Sequence, residues 1–109
     1  MSEQETRKYV GSVKVGPASV DVYEANSIVV DGDECYGVFS GGNDEIEIVS
    51  GLNPQRRRAT LFHELIHAVD FEYDIRLSEK QTRKLHIGLL NLIDDNPGIL
   101  ELEIGGDRE

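Results

Sequence analysis

The chain has 109 residues, enough for one modest core and too few for two, so residues 1–109 are expected to form a single domain. Its 21 acidic and 11 basic residues leave a formal net charge of −10, which disfavours binding to nucleic acid or to anionic membranes. Tryptophan is absent, so the core has to rest on Val, Ile and Leu, and the single cysteine, Cys35, excludes an internal disulfide.

Ten of the acidic residues but only three of the basic ones fall within the first 51 positions, so the acidity is concentrated in the N-terminal half. Met1-Ser2-Glu3-Gln4-Glu5 carries no apolar segment of a secretory signal, and no apolar run reaches membrane-spanning length. With one free thiol, these features make the cytoplasm the expected compartment.

The N-terminal half alternates. Tyr9 to Val15 has the pattern of a strand, Gly16-Pro17-Ala18-Ser19 that of a turn, and Val20-Asp21-Val22-Tyr23 resumes the alternation, which predicts a hairpin. Ser27 to Val30 is a short apolar run closed by Asp31-Gly32-Asp33. Tyr36 to Phe39 is a further candidate strand, and Glu45-Ile46-Glu47-Ile48-Val49 alternates most cleanly. These strands predict a small, largely antiparallel sheet.

The period changes after Gly51. Asn53 is suited to cap a helix and Pro54 to open it, and neither glycine nor proline interrupts the chain as far as about Asp74. Leu61, Leu65, Ala68 and Val69 recur at helical spacing, as do Phe62, Ile66 and Val69, which predicts a helix buried over much of its circumference. Ser78 and Gln81 form a capping-box pattern for a second helix, with an apolar stripe of Leu85, Leu89, Leu92 and Ile93, that stops at Asp94 to Gly98. Ile99 to Ile104 fits either a last strand or a short helix, and Gly105 to Glu109 a frayed tail. The expected fold is α+β: a small sheet packed on a central helix and a second, C-terminal helix.

The chemistry lies in His63-Glu64-Leu65-Ile66-His67, where two histidines at i and i+4 share one helical face. Glu64 is rotated by about 100° from His63, so it flanks an ion held by the two imidazoles. That is the arrangement of a zinc hydrolase: two nitrogen ligands and a carboxylate beside a metal-activated water. A catalytic zinc takes three protein ligands and keeps one position open, so a third ligand has to approach from another direction. Asp70 and Asp74 share the histidine face and are better placed to orient an imidazole than to bind the ion. Glu79 swings over the histidine pair if the two helices form a hairpin, His86 lies two turns further along the second helix, and Glu72 points elsewhere. Tyr73 and His86 are candidates for stabilising an oxyanion, with ordinary packing as the alternative for each.

Thr60 to Ala68, with Leu77-Ser78-Glu79-Lys80-Gln81 and Asp95-Asn96-Pro97, resembles small HExxH metallopeptidase-like proteins encoded by phages and prophages, which are themselves similar to the minigluzincins of the gluzincin clan. The resemblance covers roughly residues 53–97. It implies a minimal zincin-like fold, a Zn²⁺ site of His63, His67 and Glu79, and Glu64 as general base in peptide hydrolysis. It also implies a sheet edge beside the motif helix on which an extended peptide substrate aligns, and Glu45 to Val49 is the expected edge. The longer metzincin pattern is absent, since Tyr73 stands where its third histidine would be.

Two other functions fit the same motif. One is a zinc-stabilised, catalytically silent module for interaction with phage or host proteins, in which four protein groups close the ion's shell. The other is a latent peptidase plugged by its own Ile99 to Glu109 segment, which carries Glu101, Glu103 and Asp107. Arg56-Arg57-Arg58 reads as a solvated turn that meets the acidic sheet or an anionic partner. The oligomeric state leaves no signature in the sequence.

Overall fold

The computed structural model describes residues 7–101, which form six strands, two helices and a short 3-10 turn. β1 (Arg7–Val15) and β2 (Ala18–Ala25) form a hairpin around Gly16-Pro17, with a bulge between Tyr9 and Gly11. β3 (Val29–Val30) and β4 (Asp33–Glu34) form a separate small hairpin. Its turn residues Asp31 and Gly32 have φ of 53° and 85°, the left-handed backbone that a two-residue hairpin turn requires. β5 (Gly37–Ser40) and β6 (Glu45–Val49) complete the main sheet in the order β1-β2-β6-β5.

Two of the three ladders in that sheet are antiparallel, and the third, β2 with β6, is parallel. The fold is therefore α+β with a largely antiparallel sheet, as the alternation predicts. One expectation is corrected: Glu45–Val49 is paired on both sides, with Ile46 opposite Val22 on one flank and Phe39 on the other. The edge belongs to β5.

The period-2 pattern sends Val20, Val22, Ile46 and Ile48 to one face, where they bury against Ala68 of α1 (Pro54–Tyr73). Each such aliphatic side chain stabilises the fold by about 1.5–3 kcal/mol. Leu61 and Leu65 pack on the same cluster, and fully buried Ala68 marks the closest approach of helix to sheet. The second apolar stripe of α1 is less covered than its spacing predicts. Val69 is exposed and Phe62 and Ile66 are half-buried, so this stripe is only partly covered. On the outer sheet face, Arg7 donates to Glu45 at 3.0 Å and Glu47 at 2.8 Å and lies 3.8 Å over the Tyr23 ring.

The Asn53 side chain caps α1 by accepting from Arg56 N at 2.8 Å, and Pro54 opens it. Asp74 ends it in the left-handed region at φ 52°. α2 (Glu79–Asp95) begins with the complete capping box: Gln81 N donates to Ser78 Oγ at 3.1 Å and Ser78 N to Gln81 Oε1 at 2.9 Å. The helices run antiparallel, clasped at one end where Arg58 holds Asp94 through two hydrogen bonds of 2.6 and 3.1 Å. Neither helix is long and apolar enough to cross a membrane.

The 3-10 turn Ile99–Glu101 settles the start of the ambiguous C-terminal stretch. Glu101 follows α2, whose 17 residues separate it from Glu79 by about 25 Å of helix. Residues 102–109, with Glu103 and Asp107 of the expected plug, lie outside the described residues.

Candidate metal centre

His63 and His67 project from consecutive turns of α1 with ring centroids 4.8 Å apart. The capping box fixes the first turn of α2 and so sets Glu79 against them. Glu79 Oε2 is 3.0 Å from His63 Nε2, and Glu79 Oε1 is 3.1 Å from His67 Nε2. One ligand atom from each residue fits within a mutual span of 4.8 Å. Ligand atoms on a tetrahedral zinc stand about 3.3 Å apart, given metal–ligand bonds of about 2.0–2.1 Å. The spacing and the two-imidazole, one-carboxylate donor set therefore fit zinc. Among the described residues no fourth imidazole, thiol or carboxylate joins the three.

His86 approaches from behind. Its Nδ1 is 3.0 Å from His63 Nδ1, the ring nitrogen opposite the one that faces Glu79. Were His63 to hold a metal through the nitrogen facing Glu79, its Nδ1 would carry the proton and donate it to His86 Nδ1, which would fix the tautomer and the ring plane. Burial holds both histidines below the usual imidazole range. The neutral ring is the form that binds a metal.

Glu64 is 7 % exposed and its carboxylate has no hydrogen-bond partner among the described residues. Burial, followed by the charge of Glu79, pushes its carboxyl up to about 7. Above it lies β5. A Cβ on Gly37 would meet Thr60 Cγ2 at 2.7 Å and Glu64 Cγ at 3.2 Å, so only glycine lets the strand approach this closely. A cleft of about 700 Å³ runs between β5 and α1 and exposes His63, Glu64, His67 and Glu79, with Val30 and Cys35 in its far wall. β5 is one of the two edge strands of the sheet and borders this cleft.

Several sequence expectations change here. Asp70 does not orient an imidazole: its carboxylate accepts from the backbone N–H groups of Arg76 and Leu77 and shapes the interhelical turn. Asp74 pairs with Arg76 at 3.0 Å. Tyr73 is directed to the Gly16 turn, away from the cleft, which removes it as an oxyanion donor. Arg57 meets the acidic sheet at Glu24 and Arg58 meets Asp94, so two of the three clustered arginines are tied into the fold. Sequence reasoning missed Gly37 and Cys35 as cleft residues. An isolated glycine in a strand pattern was the available sign of close backbone approach at Gly37, and Cys35 carried none.

No protein-family model, no curated protein and no solved structure matches this chain.

Proposed function

We propose that the chain is a zinc-dependent metallopeptidase of the gluzincin type, with His63, His67 and Glu79 as ligands and Glu64 as general base. The observation that carries this reading is the convergence of two imidazole nitrogens and the Glu79 carboxylate beside a buried Glu64 that has no hydrogen-bond partner among the described residues. Zinc, when bound, supplies Lewis acidity: it brings the pKa of a water toward about 7 and polarises a carbonyl. Glu64 takes a proton from the attacking water and returns it to the leaving amine nitrogen, work suited to a buried carboxylate set beside the ligand residues. The edge of β5, unpaired among the described residues, offers backbone groups to an extended peptide laid across the cleft. A three-residue ligand set favours an open position over the closed shell of a silent module.

The test is metal analysis joined to cleavage of a generic unfolded protein. The wild type is expected to hold one zinc, and His63→Ala and Glu79→Ala to lose it. Glu64→Gln is expected to retain zinc and to lose at least about 100-fold in cleavage rate. Equal cleavage by wild type and Glu64→Gln, or no stoichiometric ion in a metal-replete preparation, overturns the proposal.

A further inference from the structure

A second pocket, of about 430 Å³, opens on the other flank of Glu64. It shares Gly37, His63 and Glu64 with the main cleft, so the two cavities meet over the general base. Its remaining wall carries two arginines: Arg56 with Ala59 and Thr60 from α1, Arg83 with His86 from α2, and Tyr36 beside them. Two guanidinium groups around one small pocket are out of keeping with a chain of net charge −10.

The arginines there are the uncommitted ones. Arg57 and Arg58 are consumed by Glu24 and Asp94. Arg56, one position earlier, makes no ion pair among the described residues, and its guanidinium is held 4.8 Å over the Tyr36 ring. Arg83 reaches only the outer distance of an ion pair with Glu79, at 4.0 Å. Ligation of a metal by Glu79 would weaken that pairing and leave Arg83 freer still. A planar guanidinium stacked on an aromatic ring keeps its in-plane N–H donors free for a carboxylate.

The geometry points to a subsite for a carboxylate of the peptide substrate, gripped by Arg56 and Arg83 next to the bond that Glu64 serves. It rests on the metallopeptidase reading and narrows its substrate class to acidic peptides. A peptide running along the edge of β5 passes Gly37, the point common to both cavities, so a neighbouring side chain or chain end enters the cationic pocket. The carboxylate comes either from an Asp or Glu side chain or from the peptide's own C-terminus.

The experiment uses the full-length, zinc-loaded Glu64→Gln protein, so that binding is read without turnover. Three alanine-rich peptides are titrated: a blocked one with a central glutamate, its blocked glutamine counterpart, and the glutamine peptide with a free C-terminal carboxylate. At least one carboxylate-bearing peptide is expected to bind about tenfold or more tightly than the blocked glutamine peptide, and which one does so identifies the source. Adding Arg56→Gln and Arg83→Gln is expected to collapse that gap, and Arg56→Lys with Arg83→Lys to restore part of it. Equal binding of all three peptides, or a gap that survives the double glutamine change, overturns the subsite while leaving the peptidase reading intact. Stoichiometric zinc with no binding of any peptide counts against the peptidase reading itself and removes the subsite with it.

Discussion

Gly37 lies directly over Glu64: a Cβ placed on Gly37 would stand 3.2 Å from Glu64 Cγ, 2.7 Å from Thr60 Cγ2 and 3.2 Å from the Glu47 carbonyl oxygen. The last of these is backbone and yields least. Gly37→Ala therefore has to lift β5 from α1 or tilt Glu64, and overpacking of this kind costs about 1–3 kcal/mol. Urea unfolding is expected to show that loss, and cleavage to fall further than stability alone explains, because Glu64 is displaced. Gly42, whose Cβ position has open space, is the control, and Gly42→Ala is expected to change neither by a comparable amount.

Glu64 also gives the metal-free protein a pH signature. Its folded pKa of about 7 lies above the ordinary value of 4.5, so the folded state keeps a proton that the unfolded state releases between those limits. Stability attributable to Glu64 is intact below about pH 4.5 and declines as pH rises toward 7. Glu64→Gln carries no such charge. Metal-free Glu64→Gln is thus expected to be more stable than metal-free wild type at pH 8, by up to about 3 kcal/mol, and to lose that advantage toward pH 5. Urea unfolding at the two pH values checks it, and a difference independent of pH overturns the assignment.

How much of this was legible in the sequence depends on the range over which each feature is decided. The caps at Asn53 and Ser78, the hairpin at Gly16-Pro17 and the i, i+4 histidine pair are local, and local rules suffice for them. The position of Glu79 followed once the short connection forced an antiparallel helix pair. Strand order was not local. Clean alternation tells which face of Glu45–Val49 is buried but not which strands flank it, and the parallel pairing with β2 is set by a crossover through β3, β4 and β5. Asp70 and Asp74 share the histidine face by spacing. The interhelical turn then claims both: its backbone N–H groups at Arg76 and Leu77 bind Asp70, and the Arg76 side chain pairs with Asp74.

His86 is the remaining case, since its position two turns after Glu79 placed it on the right face without revealing its role. Its Nδ1 is 3.0 Å from His63 Nδ1, so under the proposed zinc reading it would serve as a positioning residue for His63. His86→Ala removes the acceptor and frees the His63 ring to rotate, and loss of such a support typically costs about 10–100-fold in metal affinity. Zinc titration against a competing chelator is expected to show a loss in that range for His86→Ala and partial recovery for His86→Asn, whose side-chain oxygen again accepts. A packing role alone would reverse the pattern: His86→Leu would hold zinc as tightly as wild type. Measuring both variants, with urea unfolding of the metal-free forms as the stability control, separates orientation of the ligand from filling of space.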